Sequence, residues 1–194
     1  MFTGIIEASG RVVEINQEGS NKHFLIASPI SNELKVDQSI SHNGVCLTVT
    51  KVANGHHWVT AIDETLLKSN LGLCMQGDEL NLERCMVANG RFDGHIVQGH
   101  VDQVAECISI KEERGSWLFD FKYDPLLGNI TVEKGSITIN GISLTCFNST
   151  PSTFRVAIIP YTFEHTNFHQ LKVKDLVNLE FDIIGKYVKR ILGK

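Results

Sequence analysis

The sequence contains no apolar run approaching the ~18 residues needed to cross a membrane, so no membrane association is expected. It also lacks a basic excess. Lys and Arg number 18 against 22 Asp and Glu, a net charge of −4, which argues against a nucleic-acid binder needing a positive face. The opening Met1–Glu7 carries no basic residue ahead of its apolar residues, unlike a secretory leader. There is no C-x-x-C pair. The five cysteines (Cys46, Cys74, Cys85, Cys107 and Cys146) are odd in number, which fits free thiols in a reducing, cytoplasmic setting. In that setting the sequons at Asn129 and Asn148 imply no glycan. Neither G-x-G-x-x-G nor G-x-x-x-x-G-K-[ST] occurs, and neither does G-x-S-x-G, so dinucleotide folds, P-loops and hydrolase elbows are not indicated. His95 and His100 lie five apart with no Cys near in sequence. That is not zinc spacing, and no metal is expected.

What is present is β-rich and globular: 42% apolar and 21% charged residues in 194 positions, a length compatible with one domain or two. Short runs of Val, Ile, Thr and Phe predict strands near 11–16, 23–27, 39–41, 45–51, 58–62 and 79–83. A second set is predicted near 104–110, 117–122, 136–139, 142–147, 154–159 and 176–181. Asn43-Gly44 and Asn140-Gly141 are hairpin signals, because both central positions of a type I′ turn need positive φ. Strands about ten residues apart indicate a barrel or a sandwich. Helices are expected only at Glu64–Leu71, Tyr161–Phe168 and Ile184–Gly193.

Six strands followed by six suggest a repeat. Shifted by 97 residues, segment 39–83 lies on 136–180 without a gap. Identities include Ser39/Ser136, Asn43/Asn140, Gly44/Gly141, Leu47/Leu144, Thr48/Thr145, Thr65/Thr162, Asn70/Asn167, Asn81/Asn178 and Glu83/Glu180. The chain therefore reads as all-β, two tandem homologous six-stranded barrels at 1–90 and 91–183, joined near Ala88–Asp93, with a C-terminal helix at 184–194. On that helix Tyr187, Val188, Ile191 and Leu192 form an apolar stripe opposite Lys186, Lys189, Arg190 and Lys194. The stripe needs a cover, either its own barrel or a second copy of the chain.

The repeated hairpin reads Asn-Gly-X-Z-Leu-Thr. Z is Cys46 in the first half and Ser143 in the second, so matched positions offer two different nucleophile-type side chains. Small buried strand residues would look the same. His100 is a candidate acid/base or hydrogen-bonding group. His56-His57, after Asn54-Gly55, read as a solvated turn.

Five segments in order carry a more specific signal: Met1-Phe2-Thr3-Gly4-Ile5-Ile6, Asn43-Gly44-Val45-Cys46-Leu47-Thr48-Val49, Gly94-His95-Ile96-Val97-Gln98-Gly99-His100-Val101-Asp102, Asn140-Gly141-Ile142-Ser143-Leu144-Thr145 and Ile159-Pro160-Tyr161-Thr162. With the repeat, they resemble the riboflavin synthase family, the α-chain type with tandem lumazine-binding domains, over the whole chain. The resemblance implies Greek-key barrels and a C-terminal helix that makes a homotrimer. It also implies active sites shared between the N-barrel of one subunit and the C-barrel of another. The implied reaction is a dismutation. One 6,7-dimethyl-8-ribityllumazine gives a four-carbon unit to another, yielding riboflavin and 5-amino-6-ribitylamino-uracil with no cofactor.

Carried over by motif, the N-barrel pocket would comprise Gly4, Ile5, Ile6, Cys46, Leu47, Thr48 and the stretch Thr60, Ala61, Ile62, Asp63, Glu64 and Thr65. The C-barrel pocket would comprise Gly99, His100, Val101, Lys134, Ser143, Leu144 and Thr145, with Ala157, Ile158, Ile159, Pro160, Tyr161 and Thr162. His100, Ser143 and Cys46 are expected to carry the chemistry, supported by Ser39, Phe2 and Thr145. One departure stands out: many members have Asp where this chain has Asn140, and an amide cannot accept the proton. The first barrel has Asn43 at the same place, so a hairpin Asn is the simpler reading. Two alternatives are a non-catalytic lumazine or flavin carrier of the antenna type, and an oligonucleotide-binding barrel. The acidic balance disfavours the second.

Overall fold

The computed structural model describes residues 1–193. Strands β1 (Ala8–Glu18), β2 (Asn21–Ala27), β3 (Ser39–His42), β4 (Val45–Ala53), β5 (His56–Ala61) and β6 (Glu79–Arg84) close into an antiparallel barrel in the order β1-β2-β5-β4-β3-β6. Strands β7 (Gln103–Glu113), β8 (Ser116–Tyr123), β9 (Ser136–Ile139), β10 (Ile142–Phe147), β11 (Thr153–Ile158) and β12 (Leu176–Phe181) close a second barrel in the same circular order. Closure leaves no unpaired edge. Alternation sets which residues fill it. On β4, Val45, Leu47 and Val49 point inward while Thr48 and Thr50 face out.

The two cores differ in composition. The second packs Phe119, Phe121, Tyr123, Phe154, Phe168 and Phe181 against one another. The first has Phe24 as its large aromatic among Ile26, Ile40, Val49, Val59 and Leu82. Where the second core places Ile139 and Phe154, the first places His42 and His57. Both are fully buried, with Nε2 atoms 2.9 Å apart and His57 Nδ1 2.8 Å from Ser31 Oγ. The expected solvated turn at His56-His57 is therefore wrong for His57. Both residues belong to β5, and alternation turns His57 inward.

The two predicted internal helices are shorter than expected. α1 spans Asp63–Lys68 and α2 spans Pro160–His165, each followed by a short 3₁₀ turn. Ser69 Oγ donates to Thr65 O and Thr166 Oγ1 to Thr162 O, both at 2.6 Å. The hydroxyl takes the carbonyl that a continuing helix would use, and the residue itself is extended.

The barrels meet around a local two-fold axis. Phe2 and Val97 exchange backbone hydrogen bonds across it. The Gly44 and Gly141 turns touch on it: a Cβ on either would lie 2.8 Å from the other's backbone nitrogen. Both glycines have φ near +80° and follow an asparagine with φ near +47°, the I′ geometry. Six asparagines in repeat-related pairs tie the interface. Asn178 Nδ2 donates to Asn43 O at 2.8 Å and Asn81 Nδ2 to Asn140 O at 2.9 Å. Asn70 N donates to Asn178 Oδ1 and Asn167 N to Asn81 Oδ1. Asn140 Oδ1 accepts from Asn178 N and Asn70 Nδ2. Asn140 opens its hairpin at positive φ, as the simpler reading expected, and is in addition an interface residue. Asn178→Ala leaves buried partners unpaired and is expected to cost about 2–4 kcal/mol, measured as a lower urea midpoint.

The segment leading into each barrel packs on the other. Ile6 lies against the second core and Val101 against the first. At the C-terminus α3 (Ile183–Leu192) is capped by Asp182 Oδ1. Its cationic side faces its own barrel, through Lys186–Asp102 at 2.7 Å and a Lys189 bond to Gly128 O. Ile184, Tyr187, Ile191 and Leu192 are exposed, Ile191 to 80%. The apolar stripe is therefore not covered by its own barrel. Lys194 lies outside the described residues.

Candidate functional site

The repeated hairpins sit where the barrels meet. Cys46 on β4 is half-buried, and its N–H donates to Gly99 O at 2.8 Å. Ser143 on β10 is its counterpart, and its N–H donates to Gly4 O at 2.8 Å. Each hairpin is thus finished by the lead segment of the other barrel. The grouping expected from the motifs is crossed in space: Gly4 lies on Ser143, and Gly99 with His100 lies beside Cys46.

A cavity of 420 Å³ is lined by Cys46, Glu64, Thr65, Gly99, His100 and Val101, among others. Another, of 360 Å³, is lined by Lys134, Ser143, Leu144, Thr145, Phe147, Ala157, Ile159 and Thr162. In this second cavity Lys134 Nζ stands 4.7 Å from the Phe147 ring centroid, a cation–π geometry. Ile5 and Ser39 line a larger cavity of 670 Å³ beside the inter-barrel join at Met86–Arg91.

The remaining motif residues divide by strand alternation. Leu47 and Ala61 point into the first core and Ile158 into the second. Thr48, Ile62, Asp63, Pro160 and Tyr161 are exposed, and Thr60 Oγ1 is 2.8 Å from His23 Nδ1. Phe2 is buried at the inter-barrel bridge.

The Cys46 and Ser143 side chains have different surroundings. Burial pushes the Cys46 thiol up, and a hydrogen bond with Ser39 works against that shift. That direction favours the neutral thiol over the thiolate. Ser143 Oγ lies 2.7 Å from His95 Nδ1, and His95 Nε2 lies 3.1 Å from Thr138 Oγ1. Burial holds the His95 imidazole below its ordinary range, against a smaller opposing effect of Asp182. A neutral imidazole bonded to a hydroxyl is the arrangement of a general base paired with a nucleophile.

Sequence reasoning passed over His95 in favour of His100, because neither spacing nor repeat singled it out. All five cysteines are free, and among the described residues no group of three or more His, Cys, Asp or Glu side chains is placed to hold a metal.

The family model for the lumazine binding domain matches twice, at residues 3–85 and 98–182. Riboflavin synthase of Actinobacillus pleuropneumoniae is 42% identical over 195 aligned positions, covering 100% of this chain and 91% of that protein. The Bacillus subtilis enzyme gives the same figures. The Schizosaccharomyces pombe enzyme is 40% identical, covering 99% and 94%. Among solved structures, LumP complexed with riboflavin superposes with a TM-score of 0.86 at 22% identity, covering 94% of this chain and 100% of that one. At that identity the likeness concerns the fold.

Two closed barrels with matched hairpins define a tandem lumazine-binding protein. Given full-length relatives at about 40% identity, the chain belongs to the riboflavin synthase family, a family of transferases.

Proposed function

We propose that this chain converts two molecules of 6,7-dimethyl-8-ribityllumazine into riboflavin and 5-amino-6-ribitylamino-uracil. The observation carrying this is a cavity at each of the two matched hairpins with unlike groups in them, Cys46 lining one and Ser143, bonded to His95, lining the other. Two copies of one compound call for two copies of one binding fold. Holding them in register converts a bimolecular encounter into an ordered pair, a gain of up to ~7–11 kcal/mol. Donor and acceptor must nonetheless behave differently, and the unlike side chains supply that difference.

The proton leaving the 7-methyl group of one lumazine passes to the Ser143–His95 pair. The resulting carbanion attacks the second lumazine, and the four-carbon unit of the donor ring moves to the acceptor. Its nitrogens remain on the uracil product. Cys46 is the candidate for addition to, or proton exchange with, the other ring, with His100 beside it as acid/base or hydrogen-bonding group. Transfer within a like pair is redox-neutral overall, so no external electron carrier is required. Thr145, Lys134 and Thr162 suit the polar ribityl chain.

We assign the assembly as a homotrimer in the cytoplasm, with domains at 1–90 and 91–183 and an oligomerisation helix at 184–194. The exposed stripe of α3 supports association. Removing 185–194 is expected to give folded monomers with little activity, measured by light scattering and turnover. A fully active monomer contradicts sites shared between subunits. A carrier of the antenna type is the second reading, suggested by the fold shared with LumP. The two part on one experiment: purified protein mixed with the lumazine either develops riboflavin fluorescence or binds the compound without making any.

A further inference from the structure

Two buried carboxylates outside the expected site stand at repeat-related positions. Glu83 on β6 is 4% exposed and Glu180 on β12 is 2% exposed. Glu83 accepts from Thr3 N at 2.6 Å, from Thr3 Oγ1 at 2.9 Å and from Gly4 N at 3.0 Å. Glu180 accepts from Gln98 N at 2.6 Å and from Gly99 N and His100 N at 2.8 Å. Each therefore gathers successive backbone N–H groups onto one carboxylate, with charge-assisted bonds stronger than neutral ones. Burial raises both acids, opposed by these same bonds. Among the described residues these carboxylates are the anchors of those amides, in segments that belong to no strand.

What the gripped segments touch gives the carboxylates a role beyond folding. Gly4 is so close to Ser143 that an added Cβ would meet Ser143 Cβ at 2.6 Å, and Gly99 stands in the same relation to Cys46 Cβ. Packing this close has no slack. A shift of the lead segment of a few tenths of an ångström is passed on to the thiol or the hydroxyl.

We propose that Glu83 and Glu180 are positioning residues that work crosswise. Glu180 of the second barrel sets the Cys46–His100 half-site on the first, and Glu83 of the first barrel sets the Ser143 half-site on the second. Each half-site then depends on a residue of the barrel that does not carry it. The inference rests on the two-pocket reading above.

The test uses the full chain, 6,7-dimethyl-8-ribityllumazine as ligand, and alkylation of Cys46 followed by peptide mass mapping, which separates it from exposed Cys85. Glu180→Gln keeps size but presents an amide N–H₂ to backbone donors. It is expected to weaken lumazine protection of Cys46 by tenfold or more and to lower turnover similarly. Glu83→Gln is expected to leave that protection within twofold of the unaltered protein while turnover falls tenfold or more. Equal effects of both variants on Cys46 protection, or none, overturn the proposal. Glu180→Asp retains the charge one methylene short and serves if the Gln variant does not fold. It is expected to show the same pattern in weaker form. In the unaltered protein the Gly4, Gly99 and His100 amides are expected to exchange at least a hundredfold slower than in a free peptide, and unprotected exchange overturns the anchoring itself. Lumazine that never protects Cys46 in the unaltered protein, with these amides still slow, counts against the two-pocket reading instead.

Discussion

Ser143→Ala is expected to lower turnover by about 100- to 1,000-fold while leaving lumazine affinity within a few-fold. His95 Nδ1 is bonded toward the second cavity through this hydroxyl, at 2.7 Å. Removing it leaves the imidazole with Thr138 at 3.1 Å and no proton path to substrate. Binding loses little, because Lys134, Leu144, Thr145 and Thr162 still line that cavity. His95→Gln is expected to fall in the same range, and the double variant no further than either single one, since the two act as a unit. Cys46→Ala gives the matching comparison in the other half-site. Steady-state kinetics with a binding titration separate kcat from affinity. A Ser143→Ala enzyme within threefold of normal turnover would remove the pair from the mechanism.

Acid should loosen the first barrel before the second. His42 and His57 share a hydrogen bond in the first core, and burial holds both imidazoles low, His57 to about 4. Ser31 lies on His57 Nδ1, the charge of His56 further disfavours protonation of His57, and a hydrogen bond with the Ile40 backbone works against the shift of His42 without reversing it. An unfolded chain takes up protons at an imidazole near pH 6.5. Between there and about pH 4 the unfolded state binds more protons than the folded one, so stability falls as pH falls. His57 contributes about 1.4 kcal/mol per pH unit over that window, roughly 2–3 kcal/mol over two units, and His42 adds to the loss in the same direction. A loss of that size is a large fraction of the stability of a small domain. Glu83 and Glu180, held above the ordinary carboxylate range by burial, act in the opposite sense. The control is therefore His42→Ile with His57→Phe, the residues found at the repeat-related positions 139 and 154 of the second core. Urea midpoints from pH 7.5 to 4.5 should fall steeply for the natural chain and much less for the double variant. Parallel curves contradict the assignment.

The barrels were legible because strand alternation is a local pattern and segment 39–83 repeats without a gap at 136–180. The hairpins at Asn43-Gly44 and Asn140-Gly141 were legible because positive φ restricts residue choice. The crossing of lead segments was not. Nothing in Gly4 or Gly99 says which barrel it will touch, and the answer depends on a two-fold axis that exists only after both barrels close. His95 was missed for the same reason, since its partner Ser143 lies 48 residues away in sequence. His57 was misread because a turn signal just before it outweighed the period of the strand it begins. The stripe on α3 could be seen but not assigned, and the salt bridge from Lys186 to Asp102 decides which side of the helix faces the barrel.

The account stands most directly on one quantity, the product balance from pure protein and 6,7-dimethyl-8-ribityllumazine with nothing else added. Two lumazines consumed should give one riboflavin and one 5-amino-6-ribitylamino-uracil, resolved by chromatography with fluorescence and absorbance detection. Bound lumazine that is recovered unchanged, or riboflavin formed without an equal amount of the uracil, would contradict it.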